Sequence, residues 1–561
     1  MSDRALQVAI IGAGPRGLGA AERLVARTVA VRAVAITFLD PEPTPGAGPN
    51  FDPRQSPLCL LNVPLHAIDL PAPPGHTDEA GSFSHWLPAG RRDPDRFPPR
   101  AELGAYLAAR FAALSSGAPA GLRVTHRPLR VERVEADGDG WRLHGDGKLI
   151  GRFDEVLLAQ GQPRTRPDPQ LARWIDHASR TGATLMPAYP DRDLLAAAAG
   201  WSGRAVAIRG LGLTTFDVLR LLTLGQGGRF EDGGYIASGA EPARILPFSR
   251  DGLPPIPKPA TARIDRAFEP QPAETAAFER AMTEAVTAEP ERALDLVCAV
   301  LVAPACRLLA ENGGTADADA LRDWLAVERK SPGEQEDREA DEVLRHAIAM
   351  AEAASPPSPG YAIGQLWRKW QNPLRRAFNP AEVPPETAAA LIGFDEGLKR
   401  FSYGPPVSGA RELLALIETG LVDLRAADDP DVLLVEDGWQ LVEDEAQARA
   451  TVMIDAVLPG PKLETVIDPL LCNLRDEGRI CPVDSKSGAR TLSDGQVIGQ
   501  DGTVQRGLSL LGRLALGSVI AVDSIHDCFG EASGRWAEGV LRRADGPPDD
   551  LPPAARAGIA E

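Results

Sequence analysis

The chain has 561 residues, more than one hydrophobic core accommodates, so several units of roughly 150 residues are expected. A composition 43% hydrophobic and 25% charged excludes wholesale disorder and collagen-like repeats. Sixty basic against 78 acidic residues leave a net charge of −18, which argues against nucleic-acid or anionic-membrane partners, since both need a basic face.

Cys59, Cys298, Cys306, Cys472, Cys481 and Cys528 contain no CxxC pair, so they suit free thiols in a reducing compartment better than a zinc site or a disulfide framework. Eight histidines show no metal-ligand spacing, and no HExxH, GxSxG or GxxxxGKS/T occurs; no metal is expected. The early apolar run at 8–11 ends in a glycine turn rather than a signal-peptide cleavage site. The run at 508–522 is broken by Arg513 and falls short of a membrane span. A soluble, cytoplasmic protein is the expectation.

Residues 6–11 read as a buried strand, followed by Gly12-Ala13-Gly14-Pro15-Arg16-Gly17 and an Ala/Leu-rich helix to about residue 29. A second strand at 34–39 ends in Asp40, completing a βαβ opening. Gly12 permits the tight turn, Gly14 lets the backbone approach a pyrophosphate, and Gly17 lets helix and strand pack closely. Pro15 and Arg16 start the helix whose free N–H groups and positive dipole end face the phosphates. Asp40 is placed to accept ribose hydroxyls.

From 41 to 99 the chain is rich in Pro and Gly, too irregular for regular sheet; a helix follows at 101–114, then strand-like stretches at 122–134 and 141–143. A buried strand at 153–159 closes on Gln160-Gly161. The pattern then restarts, with a strand at 205–209, the turn Gly210-Leu211-Gly212-Leu213-Thr214-Thr215 and a helix at 216–224. Thr215 replaces the third glycine, which is expected to loosen helix–strand packing; a purely structural turn is the alternative. The next strand, 244–248, runs into Ser249-Arg250, where a hydroxyl and a guanidinium suit the 2′-phosphate of NADPH. An exposed loop arginine is the bland reading of Arg250. Residues 255–401 read as mostly helical, and strands return at 432–435, 452–458 and 508–511.

Two dinucleotide openings, the second inserted after the first, resemble the flavin enzymes that bind FAD at the N-terminal turn and NAD(P)H at the inserted one. In those enzymes a strand ending Ala-Thr-Gly leaves the FAD unit; here it ends Ala159-Gln160-Gly161. The stretches Leu60-Leu61-Asn62-Val63-Pro64 and Phe97-Pro98-Pro99-Arg100-Ala101-Glu102 resemble, in order and spacing, the segment of flavin N-hydroxylating monooxygenases that covers the isoalloxazine ring. The resemblance implies flavin or substrate contacts at Asn62 and Arg100. Taken alone, Asn62 suits a turn and Arg100 a helix-start ion pair.

Closer still is a bacterial flavoprotein family that includes nitrosuccinate-forming L-aspartate N-monooxygenases. It is resembled at Ser249-Arg250-Asp251-Gly252-Leu253-Pro254, Tyr403-Gly404-Pro405-Pro406, Leu511-Gly512-Arg513-Leu514 and Asp523-Ser524-Ile525-His526. The resemblance implies an FAD contact at Gly512, although Arg513 stands where many flavoproteins have Asp, and a substrate- or flavin-orienting role for His526. A packed, hydrogen-bonded histidine is the alternative. A dicarboxylic substrate would need a guanidinium partner, for which Arg100 and Arg513 are the candidates by position.

The fold expected is α/β, two nested Rossmann-like dinucleotide-binding domains with a mainly helical insertion. The FAD domain is assigned 1–200 and 451–545, the NADPH domain 201–260 and 401–450, the insertion 261–400 and a flexible tail 546–561. The function implied is a flavin-dependent N-monooxygenase in which NADPH reduces FAD, dioxygen adds as a flavin hydroperoxide, and the amine of a small amino acid, L-aspartate first, is oxidised. The partners are then a small-molecule amine and O2, with neither nucleic acid nor membrane, and a homo-oligomer is compatible with the sequence. A flavin reductase without oxygen insertion, or a non-catalytic FAD-binding protein, would share every nucleotide motif.

Overall fold

The computed structural model describes residues 4–28, 33–73, 81–119 and 121–546. The expected tail beyond 546 lies outside the described residues. The first strand, Leu6–Ile11, is apolar at nearly every position because it is buried on both faces. It pairs in parallel with Val34–Leu39 on one side and Glu155–Leu158 on the other. The sheet runs in the order Gln496–Ile498, Val504–Leu510, Glu155–Leu158, Leu6–Ile11, Val34–Leu39, Leu122–Arg127, parallel except for its first pair.

Strand periodicity divides this core in two. Val8, Ile10, Ile36, Phe38 and Leu157 face the helices Pro15–Thr28, Arg100–Ser116 and Glu531–Asp545. Ala9, Ile11, Leu39, Val156 and Leu158 face a three-stranded meander, Arg133–Asp137, Gly140–Gly145 and Lys148–Phe153. Trp141 anchors that meander, donating from Nε1 to the Arg506 carbonyl at 3.0 Å.

The second unit repeats the plan at smaller size. Its four-stranded parallel sheet runs Arg244–Phe248, Ala205–Arg209, Val452–Asp455, Thr184–Pro187. A second meander, Asp431–Val435, Gly438–Glu443 and Ala446–Ala450, leads into Val452–Asp455. Two boundaries are corrected here. Thr184–Pro187 joins this sheet although it precedes residue 201, and Val452–Asp455, assigned from sequence to the C-terminal part of the FAD domain, lies at the centre of the second sheet.

The helical insertion runs from Ala262–Arg266 to Val407–Glu418, past the expected limit of 400. Its longest helix, Pro290–Glu311, is long and apolar enough to cross a membrane, yet Val297, Leu301, Ala305 and Leu308 on it are buried in the insertion's own core. Trp367 and Trp370 are also buried there. Trp370 stacks on Phe278 at 4.4 Å, and Trp367 donates to Asp395 at 2.7 Å.

Candidate cofactor and substrate site

The first glycine turn lies at the carboxyl ends of the parallel strands, where open α/β sheets receive ligands. Its three glycines are there for different reasons. Gly12 has φ +104°, and a Cβ on it would lie 2.5 Å from the Ala159 carbonyl oxygen; a Cβ on Gly17 would lie 2.3 Å from the Gly12 oxygen. Both are demanded by the fold. A Cβ on Gly14 would meet only Gly48 Cα, at 3.6 Å, so the chain itself leaves that position open. The helix starting at Pro15 has no acidic residue in its first turn, as an anion-binding terminus requires.

Asp40 braces this turn, accepting from Ala13 N at 2.7 Å and Glu42 N at 2.9 Å. Gly161 has φ +71°, and beside it the side-chain oxygen Oε1 of Gln160 is buried with no protein partner. An orphaned acceptor next to an open glycine fits a polar cofactor at this turn.

Arg16 is engaged by the C-terminal return. It is buried, ion-paired with Asp527 at 2.6 Å and donating to the Asp527 carbonyl at 2.8 Å. It therefore ties the first helix to the C-terminal return. Gly512, with φ +103°, packs against it; a Cβ there would lie 3.6 Å from Arg16 Nε. Asn62 is half-buried, and its side chain forms no hydrogen bond among the described residues.

In the second unit Gly210 has φ +110° and a Cβ on Gly212 would meet nothing within 4 Å. The helix Leu213–Leu222 starts at Gly212. Thr215 does not loosen the packing as expected: it is 1% exposed, and its hydroxyl donates to the Gly210 carbonyl at 2.7 Å, closing the turn. Thr214 follows Gly212 in the first turn of that helix. Ser249 donates to Asp251 at 2.7 Å, and Arg250 is exposed with no ion pair among the described residues.

The C-terminal return meets the helical insertion in a dense cluster of charge. Arg513 and Lys399 both pair with Asp523, at 2.6 and 2.8 Å, and hold its carboxyl at about 2 against the opposing effect of burial. Arg375, on the helix Gln371–Phe378, donates from Nε to the Ala521 carbonyl at 2.8 Å and from Nη1 to Asn372 at 2.9 Å. Its Nη2 is buried with no partner, as is Nε of Arg513. Burial, and then the Arg375 charge, push the His526 imidazole below the usual histidine range. Four cations, Arg16, Arg375, Lys399 and Arg513, thus stand with three carboxylates, Asp523, Asp527 and Glu396.

Of the residues named from sequence, His526 and Gly512 lie in this return. Arg100 is engaged elsewhere: it is ion-paired with Asp217 of the second unit and donates to the Tyr189 hydroxyl at 2.7 Å. Sequence reading passed over Arg375, although a signal existed. Gln371, Leu374, Arg375 and Phe378 form one helical face, and all four are buried, so an arginine occupies a core position.

A family described as FAD-NAD(P)-binding matches residues 9–163, which hold the first glycine turn and the N-terminal strands of its sheet. An L-aspartate N-monooxygenase (nitrosuccinate-forming) from Streptomyces cremeus is 30% identical, the alignment covering 85% of this chain and 84% of that protein. A nitrosuccinic acid synthase from Aspergillus oryzae is 28% identical over 85% of this chain and 82% of its own length. Among solved structures, the reduced form of ornithine hydroxylase from Pseudomonas aeruginosa shares the fold, with a TM-score of 0.52 at 12% identity over 97% of this chain and all of that one. The two nucleotide turns, the nested sheets and these relatives agree: the chain belongs to the FAD-NAD(P)-binding flavin N-monooxygenase family that includes the nitrosuccinate-forming L-aspartate N-monooxygenases.

Proposed function

We propose that the protein oxidises the amine of a small dicarboxylic amino acid, L-aspartate first, using NADPH and dioxygen. The observation that carries this reading is the buried, unpartnered Nη2 of Arg375 within the cationic cluster at the C-terminal return. Leaving such a donor without an acceptor costs on the order of 1–3 kcal/mol. A substrate carboxylate supplies the acceptor, and burying a carboxylate in turn requires a guanidinium partner. The relatives' action on L-aspartate supports the same substrate.

Flavin, when bound, would supply the oxygen transfer, so the chemistry requires no side-chain nucleophile. The protein's own residues bind and orient. Arg375, with the unpartnered Nε of Arg513, holds carboxylate oxygens. His526, kept neutral by burial and by Arg375, takes a proton from the substrate ammonium on an imidazole nitrogen, which frees the amine lone pair. Asn62 and Gly512 would contact the flavin when it is bound. The rate should rise with pH as more neutral amine becomes available.

Arg375→Met tests the reading. It should raise KM for aspartate by about tenfold or more, the loss of one charge-assisted hydrogen bond, while flavin content and reduction by NADPH without substrate stay as in the parent. An unchanged KM would remove Arg375 from the substrate site.

A further inference from the structure

Arg100 and its partners form a contact that neither nucleotide binding nor substrate binding explains. Its backbone N–H donates to the Cys59 carbonyl at 2.9 Å, which fixes it to the segment preceding Asn62. Its guanidinium crosses to the second unit, pairing with Asp217 and lying 5.2 Å over the Tyr189 ring. The Tyr189 hydroxyl donates to the same Asp217 carboxylate at 2.5 Å. Asp217 is 5% exposed and sits on the helix Leu213–Leu222, whose first turn is the open nucleotide turn at Gly212.

Neighbouring contacts run the same way. Ser56 N donates to Asp191 at 2.6 Å, and Arg220, one helical turn beyond Asp217, is held by both oxygens of Glu412 at 2.6 and 2.7 Å while its Nη1 reaches the Leu58 carbonyl at 3.5 Å. Ser56 is thus tied to the helix Asp191–Ala198, and Leu58 to the helix that carries the second nucleotide turn.

We infer that Arg100, Asp217 and Tyr189 are positioning residues for flavin reduction: they fix the second nucleotide turn relative to the first unit. The inference rests on the FAD and NAD(P) reading of the two turns. Hydride transfer moves two electrons and one hydrogen from nicotinamide C4 to flavin N5, so its rate depends on the separation of two rings bound by different units. A buried carboxylate flanked by a guanidinium and a phenol resists displacement, because removing one partner leaves a charge uncompensated. None of the three residues needs to touch either ring.

The test is anaerobic stopped-flow reduction of the FAD-loaded protein by NADPH, with Arg100→Met, Asp217→Asn, the double variant, Arg100→Lys and Tyr189→Phe. The limiting reduction rate at saturating NADPH should fall by about tenfold or more in the first two, with Kd for NADPH within about threefold of the parent. The double variant should be no slower than the worse single one, and Arg100→Lys should recover part of the rate. Reoxidation by dioxygen after dithionite reduction should be unchanged. Should Arg100→Met fail to fold or to hold flavin, Arg100→Lys and Tyr189→Phe carry the same comparison, with smaller losses in the same direction. Limiting rates equal to the parent, a defect confined to Kd, or reoxidation slowed in step with reduction would overturn the inference. A parent protein whose flavin NADPH does not reduce would overturn the cofactor reading beneath it.

Discussion

Gly12, Gly14 and Gly17 share one motif but answer to different demands. Close carbonyl oxygens require the first and third to be glycine, whereas a Cβ on Gly14 would meet only Gly48 Cα, at 3.6 Å, so the fold alone does not demand glycine there. Gly14→Val should therefore give folded but colourless protein, with its far-ultraviolet spectrum retained and its flavin absorbance lost. Full flavin content in that variant would contradict the N-terminal FAD assignment. In the second unit, Arg250→Ala should raise KM for NADPH by about tenfold to a hundredfold, on the order of 1.5–3 kcal/mol, with little change for NADH. Equal effects on both coenzymes would place recognition of the 2′-phosphate elsewhere. Residue types and spacing made these turns legible, because their chemistry is local. The partner of Arg100 was not legible: Asp217 lies 117 positions away, and only the folded arrangement of two units joins them. Thr215 was misread for a different reason: its hydroxyl bonds back to Gly210, five residues earlier, a side-chain contact that the spacing of glycines does not encode.

Among the elements, buried parallel strands were the most legible, since apolar runs beside glycine turns have few other readings. The return of the chain was harder. Val452–Asp455 and Val504–Leu510 are both short apolar strands, and nothing local says which sheet each enters. The insertion docks on the irregular segment 41–99 through His66, whose Nδ1 meets the Pro94 carbonyl at 2.9 Å and whose Nε2 stands 3.6 Å from Asp265. Asp95 lies near the same ring, while Arg368 and Lys369 also hold Asp265. The Asp265 carboxylate raises the His66 imidazole above its usual value, against the effect of burial. A histidine raised on folding contributes stability that is fully present below about pH 6.5 and is lost as pH rises through the folded value. His66→Asn should then lower the urea midpoint at pH 5.5, by an amount equivalent to about 0.5–1 kcal/mol, and change it much less at pH 9. An equal shift at both values would mean that His66 contributes only packing.

At the scale of the whole molecule, the nested units carry one nucleotide turn each, and the C-terminal return meets the helical insertion in a cluster of charge. Neither turn is an acid–base site, and the chemistry falls to cofactors that the protein positions. The substrate reading depends on charge at the insertion's contact with residues 512–527, where sequence pointed to Arg513 and His526 and the fold added Arg375 and Lys399. The most direct measurement is incubation of the FAD-loaded protein with L-aspartate, NADPH and dioxygen from pH 7 to 9, with N-oxidised products followed by mass spectrometry beside NADPH consumption. Aspartate-dependent NADPH oxidation coupled to hydroxylamine or nitro products, rising with pH, is the predicted result. No N-oxidised aspartate and no stimulation of NADPH oxidation at any pH in that range would contradict it.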